Sequence, residues 1–215
     1  MTSIIVFIKF PVPGKVKTRL GAQIGNAKAC ACYRVFLQQT FDLLKRTSAE
    51  NIIVAYEPGS KATEFDKIIP TEFDAIPQSP GTLGDRMAHA FSIAFERGSE
   101  RVIAFGSDSP TVPVHYIEQA ITSLSCKDIA LGSTEDGGYY LIGLRKLYRR
   151  LFEDVKWSSN TVFAETLARA HELGLAVERI PEWYDIDDLS TLRRAATDDR
   201  TGLTSRLLKQ TEVPE

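Results

Sequence analysis

Three cations, Lys15, Lys17 and Arg19, fall close together on a segment bounded by Pro11, Pro13 and Gly14, with Lys9 just ahead of them. Positive side chains so crowded repel one another unless an anion offsets them, and a phosphate chain is such an anion. Neither standard phosphate loop accounts for the segment. A Walker A loop needs Gly where Lys9 stands and Ser or Thr where Val16 stands, and no Gly-x-Gly-x-x-Gly follows. A solvated basic loop is the alternative reading.

Carboxylates gather at three other points. Asp108 sits in Gly106-Ser107-Asp108-Ser109-Pro110, where small neighbours leave room for a hard cation such as Mg2+ carried between protein and phosphates. The competing role is a helix cap, which Ser109 or Thr111 could fill in its place. Asp185, Asp187 and Asp188 fall within four residues, so a cation must sit among them or one must cap the helix that follows, with Asp187 as the simple cap candidate. Their string approaches the Asp-x-Asp-x-Thr/Val of aspartyl-phosphate phosphatases, but it lies near the C-terminus and ends in Leu189, which rules that reading out. Asp136 precedes Gly137, Gly138, Tyr139 and Tyr140, either as a tight hairpin or as an acidic, aromatic binding spot. His89, His115 and His171 lack ligand spacing.

These groups need elements to hold them. Residues 4–8 are an uninterrupted apolar run ending at the basic segment, as expected of a buried parallel strand. Apolar residues from Ala29 recur at three and four, which predicts a helix. Strands are predicted over 52–56, 102–105, 129–132, 139–144 and 176–180. Helices are predicted around 64–69, through Met87 to Phe95, and over 113–124, 161–173 and 189–196. Strands alternating with helices at this pitch indicate an α/β layer fold with a mostly parallel sheet. The strands near Ile129 and Tyr139 have no helix between them, which predicts an antiparallel insertion. The stretch 76–84 reads as a Pro- and Gly-punctuated loop, and the polar residues from Asp198 onward as loosely packed.

Length and composition agree with one soluble domain over residues 1–215. The chain is 43% hydrophobic and 25% charged, and a domain of its size buries roughly 70% of its unfolded surface. With 26 basic and 28 acidic residues its formal charge is −2, which excludes a nucleic-acid binder that relies on bulk positive charge. The apolar opening is too short for a signal h-region or a membrane span. Cys30, Cys32 and Cys126 form no Cys-x-x-Cys pair and fit a reducing cytoplasm.

Taken in order, the segments resemble a known family. The run Lys9-Phe10-Pro11-Val12-Pro13-Gly14-Lys15-Val16-Lys17-Thr18-Arg19-Leu20 resembles the N-terminal signature of bacterial glycosyltransferase-like proteins in the nucleotide-diphospho-sugar transferase superfamily. The likeness continues through Gly81-Thr82-Leu83-Gly84-Asp85-Arg86-Met87, Gly106 to Pro110, Asp136 to Leu144, Trp157-Ser158 and Asp185-Ile186-Asp187.

It implies a Rossmann-like three-layer sandwich, the type A glycosyltransferase fold. It also implies kinship with small guanylyltransferases such as phospholactate guanylyltransferase and the molybdenum-cofactor guanylyltransferase. By the same resemblance, Gly14, Lys15, Lys17 and Arg19 wrap nucleotide phosphates. Asp108 and Asp187 hold Mg2+ or Mn2+, and Lys17 and Asp108 are catalytic. Gly81, Gly84 and Arg86 lie near base and ribose, while Asp136, Gly137, Gly138 and Tyr139 face a small-molecule acceptor. The implied activity is transfer from a nucleotide sugar, with nucleotidyl transfer from a nucleoside triphosphate to a phosphorylated acceptor as the alternative. A non-catalytic nucleotide-binding module would keep the basic loop and need no metal.

Overall fold

A computed structural model describes residues 1–58, 65–199, 202 and 204–207. Seven strands form one sheet: β1 (Thr2–Ile8), β2 (Asn51–Tyr56), β3 (Asp74–Pro77), β4 (Arg101–Gly106), β5 (Ile129–Thr134), β6 (Tyr139–Leu144) and β7 (Val177–Trp183). The helices are α1 (Thr18–Ile24), α2 (Asn26–Leu44), α3 (Leu83–Glu96), α4 (Val114–Ser123), α5 (Val162–Glu172) and α6 (Leu189–Asp198), and a short 3-10 turn covers Arg149–Leu151. The strand order is β3-β2-β1-β4-β6-β5-β7. All neighbours pair in parallel except β6, which is antiparallel to both β4 and β5. The expected antiparallel insertion is therefore present.

Strand alternation builds two cores. In β1, Ile4, Val6 and Ile8 face α1, α2, α4 and α6 through Leu20, Phe36, Leu37, Ile117 and Leu192. Ile5 points the other way, into the cluster that Phe91 and Ala94 of α3 and Ala170 of α5 close. Both faces are thus covered, which makes the predicted three-layer sandwich and explains why β1 reads as a continuous apolar run. Because β1 to β5 and β7 run in one direction with β6 reversed, the loops after β1, β2, β3, β4 and β7 all emerge at one edge. Ligands of open α/β sheets bind at that edge.

Several local expectations change. The stretch 76–84 begins inside β3, a short edge strand whose one buried residue, Ile76, leaves almost no hydrophobic signature. A helix, α1, begins at Thr18, inside what reads as basic loop, and Gly25 at φ 89° turns the chain directly into α2. The helical segment around 64–69 lies partly outside the described residues, and from Phe65 onward the chain makes a turn in which the Ile68 and Ile69 N–H groups bond the Phe65 carbonyl. Past Asp198 the described residues are not loose. Thr204 is fully buried, Gln39 of α2 bonds its hydroxyl at 3.1 Å, and its own N–H donates to Asp199 at 2.6 Å.

Gly84 has a packing role in this architecture. A Cβ there would collide with the Phe152 carbonyl and come within 2.9 Å of the Trp157 ring, so the absence of a side chain lets α3 seat against the 152–157 loop. Gly84→Ala is expected to cost about 1–3 kcal/mol, the scale of overpacking against backbone that cannot yield. Urea denaturation monitored by circular dichroism measures it, and an unchanged midpoint would show that the loop gives way freely.

Candidate active site

Three loops from that edge meet at one ion triad. Lys17 Nζ lies 2.6 Å from Asp108 Oδ1 and 3.0 Å from Asp187 Oδ1. The lysine side chain is 4% exposed, whereas Asp108 is 46% and Asp187 39% exposed, so the cation is buried beneath two carboxylates that reach the surface. The ammonium also lies 5.9 Å from the Phe36 ring centroid. Burial opposes its charge, but the Asp108 and Asp187 carboxylates outweigh burial and hold its pKa above the ordinary lysine value.

Local backbone explains how the three residues arrive there. Lys17 adopts the left-handed conformation, φ 47° and ψ 49°, at the N-cap of α1, which a residue other than Gly, Asn or Asp seldom does. Asp108 follows β4, and its carbonyl accepts the Ile186 N–H at 2.9 Å, a backbone tie between the β4 and β7 loops. Asp187 is not the cap of α6. Asp188 takes that role in a capping box with Thr191, its Oδ1 accepting the Thr191 N–H at 2.8 Å, which leaves the Asp187 carboxylate for Lys17. Neither Ser109 nor Thr111 caps a helix either: α4 starts at Val114 with Pro113 at its cap position. Ser109, fully buried, instead donates to Asp185 Oδ1 at 2.5 Å.

Asp185, which the sequence offers only as one of three clustered carboxylates, is a distinct feature of the site. Burial and the neighbouring Asp108 charge push its carboxyl up from the ordinary 3.8 to about 7. Its only trace in the sequence is the density of Asp after β7. Tyr33 of α2 is a second unforeseen strut: its hydroxyl accepts the Lys9 N–H at 3.1 Å and meets Ser107 Oγ at 3.4 Å, linking the β1 and β4 loops. Burial and Asp108 push this phenol up to about 12, so it acts as a neutral polar link.

The triad opens into a cleft of about 700 Å³ whose walls include Lys9, Lys15, Lys17, Arg19, Arg86, Asp108 and Asp187. Lys15 and Arg19 are exposed, and Arg19 Nη1 stands 3.9 Å from Asp187 Oδ2. Gly14, at φ 77°, turns the chain just before them, where the Lys15 N–H closes onto the Val12 carbonyl. Arg86 is pinned by the Gly81 carbonyl at 3.2 Å, Gln78 Oε1 at 3.3 Å and Glu57 at 3.6 Å. Gln78 in turn donates to the carbonyls of Ile8 and Ala55, fixing its own orientation at the ends of β1 and β2.

The remaining glycines and the hairpin lie off this cleft. Gly81, at φ 109°, leads into the capping box of α3, where a Cβ would meet the Asp85 carboxylate at 2.7 Å, and Gly84 packs as described. Asp136 closes the β5–β6 hairpin, its Oδ1 accepting from Thr134 Oγ1 at 2.5 Å and from the Gly138 N–H at 3.0 Å. Gly137, at φ 89°, has no room for a Cβ against the Asn160 backbone. The Tyr139 hydroxyl contacts Met87 Sδ at 3.7 Å, its ring meets Trp157 edge-on, and burial pushes its pKa upward. Turn geometry and packing therefore account for the four residues expected on the acceptor side, and none of them lines the cleft.

The donor set suits a divalent metal only in part. Asp108 and Asp187 are two converging, partly exposed carboxylates, the hard oxygen donors that Mg2+ or Mn2+ takes. Among the described residues no group of three His, Cys, Asp or Glu side chains is placed to hold a metal. Water or substrate phosphate would have to complete the shell, as is usual for Mg2+. The described cysteines are unpaired by disulfide, with Cys30 and Cys32 buried and Cys126 exposed. No helix among the described residues is long and apolar enough to cross a membrane.

Sheet order and cleft define a protein of the nucleotide-diphospho-sugar transferase fold. The chain belongs to the family described as uncharacterized protein conserved in bacteria (DUF2064), whose model matches residues 40–159. It is 33% identical, with a TM-score of 0.89 and 99% of each chain covered, to a candidate nucleotide-diphospho-sugar transferase from Desulfovibrio desulfuricans G20. More distant structures share the fold. One is 4-diphosphocytidyl-2C-methyl-D-erythritol synthase from Anaerococcus prevotii, at TM-score 0.60 and 14% identity over 91% of this chain and 94% of that one. Another is CMP:2-keto-3-deoxy-manno-octonic acid synthetase complexed with CTP, at TM-score 0.58 and 12% identity over 91% and 97%. No curated protein matches the chain. The expectation of a transferase agrees with these neighbours.

The raised Asp185 carboxyl has a consequence for stability. Between its ordinary value of 3.8 and about 7, the folded protein holds a proton that the unfolded chain has lost, so stability falls as pH rises through that window. For metal-free protein the expected slope from this group approaches ~1.4 kcal/mol per pH unit. Asp185→Asn should flatten the curve between pH 4 and 7, as read from urea midpoints. Parallel curves for the two proteins would show that Asp185 is ordinarily ionised.

Proposed function

We propose that the chain is a metal-dependent transferase that binds the polyphosphate of a nucleotide in the Lys9–Arg86 cleft, with Mg2+ or Mn2+ held by Asp108 and Asp187. The observation that carries the reading is the ion triad at the carboxyl edge of the sheet, set in a cleft where five cations face two carboxylates. An excess of three positive charges in a protein of net charge −2 is a concentrated field for one small polyanion. It suits a nucleoside triphosphate better than a diphosphate already bridged by metal, so nucleotidyl transfer to a small phosphorylated acceptor is the favoured reaction. Glycosyl transfer from a nucleotide sugar is the second reading, supported by the likeness to the Desulfovibrio protein.

In the favoured reaction the acceptor phosphate attacks the α-phosphorus in line, and pyrophosphate leaves. A bound metal would supply charge neutralisation and hold the phosphate oxygens. Lys15 and Arg19, exposed on the cleft wall, supply charge-assisted hydrogen bonds to the phosphates, and Lys17 neutralises charge that develops at the reacting phosphorus. Arg86, held by Gln78 and the Gly81 carbonyl, offers a pre-oriented cation on the far wall. The Leu83 side chain, 45% exposed at the start of α3, gives the same wall an apolar surface on which a base or ribose can lie.

A thermal-shift panel of nucleoside triphosphates and nucleotide sugars, with and without Mg2+ or Mn2+, tests the reading. A metal-dependent rise with triphosphates is expected, and a larger rise with nucleotide sugars would select glycosyl transfer. A shift indifferent to metal would leave only a non-catalytic nucleotide-binding module. Lys15→Ala is expected to weaken triphosphate binding by about 1.5–3 kcal/mol, the scale of one charge-assisted hydrogen bond. Isothermal titration measures it, and an unaltered affinity would make Lys15 a solvated bystander.

A further inference from the structure

We propose that Lys17 makes metal entry conditional on the phosphate ligand: its ammonium fills the point where Asp108 and Asp187 converge, and a divalent cation is admitted when phosphates arrive to draw the ammonium away. The identity of that ligand as a nucleotide rests on the proposed function. The geometry of the lock does not.

The same oxygen of each carboxylate, Oδ1, faces Nζ, at 2.6 and 3.0 Å. Mg2+ takes carboxylate oxygens at about 2.0–2.1 Å, so an ion bridging these two oxygens would occupy the position the ammonium already holds. An ion bound beside it instead would face an unscreened positive charge a few ångströms away. Nor is Lys17 a surface lysine that drifts aside at no cost. Its side chain is buried, the Phe36 ring stands beside its ammonium, and its direction is set by a left-handed backbone at the head of α1.

Phosphates change this balance in two ways. They offer Lys17 anionic partners in exchange for the carboxylates, and they supply oxygen ligands that the two-carboxylate set lacks. Lys17 then passes from Asp108 and Asp187 to the phosphates while the dication passes to the carboxylates, so each ligand raises the affinity of the other. Without phosphate the ammonium acts as the site's own counter-ion, and free metal is turned away.

Mn2+ titration without nucleotide, read by electron paramagnetic resonance of the free ion, tests the lock in wild type, Lys17→Met and Arg19→Met. Lys17→Met is expected to bind Mn2+ at least tenfold more tightly than wild type. Arg19→Met, which removes a charge 3.9 Å from Asp187 but not one between the carboxylates, should gain less than threefold. Equal affinity in Lys17→Met and wild type overturns the proposal, as does an equal gain in Arg19→Met, which would reduce the effect to general charge. Should Lys17→Met fail to fold by circular dichroism, Lys17→Gln, whose amide can still bond the carboxylates, is judged by the same criteria.

In wild type, inorganic tripolyphosphate is expected to bring Mn2+ onto the protein, seen as enhanced water-proton relaxation, and no enhancement overturns the phosphate step. The nucleotide panel judges the transfer reading separately. If it shows no nucleotide shift, that reading falls while the Mn2+ titrations still decide the lock.

Discussion

Two aspartates on loops far apart in the sequence can stand side by side because a buried ammonium stands between them. Asp108 and Asp187 share Lys17, and several further contacts hold their loops in place. The Ile186 N–H to Asp108 carbonyl bond joins their loops, Thr191 draws Asp188 into the cap and releases Asp187, and Tyr33 ties the start of the lysine loop to Ser107. Only the lysine of this cluster is buried, and its desolvation offsets much of the attraction to the two surface carboxylates, but removing both carboxylates would leave a buried, uncompensated charge. What the cluster supplies is a defined separation between groups that would otherwise repel.

The bulk of the architecture is legible in the sequence because both sheet faces are buried. β1 reads as an unbroken apolar run, α2 and α3 as amphipathic helices, and the missing helix between β5 and β6 announces the reversed strand. What escapes reading has little hydrophobic content or depends on distant partners. β3 buries one side chain, and α1 begins among the very cations that suggest a loop.

Asp187 against Asp188 shows the limit most sharply. Either can cap α6 on sequence, and only the folded capping box of Asp188 with Thr191 leaves Asp187 for Lys17, 170 residues away. The glycines show the reverse. Gly81, Gly84 and Gly137 sit in motifs that suggest ligand contact, and each is also required by backbone geometry or by a neighbour that leaves no room for a Cβ.

The near-neutral composition conceals an uneven distribution of charge. An overall balance of −2 leaves no bulk positive charge to hold a polyanion, but the cleft concentrates cations at the carboxyl edge. Arg86 shows how this is kept from becoming simple repulsion, since Glu57, Gln78 and the Gly81 carbonyl surround it with compensating partners. The five cations consequently differ in readiness: Lys17 is committed within the protein, Arg86 is oriented, and Lys9, Lys15 and Arg19 face solvent.

An open sheet must also end somewhere, and here it ends on β3 and β7. Unpaired strand edges are templates for self-association, and these two carry features that discourage it. β3 is four residues long, exposes Asp74 and finishes in Pro77. The longer β7 carries Glu178, Arg179 and Glu182 and is interrupted by Pro181, so a second copy could not add a strand along it without burying charge and losing a backbone donor. The strand that delivers Asp185 and Asp187 to the site is thereby protected from aggregation by its own composition.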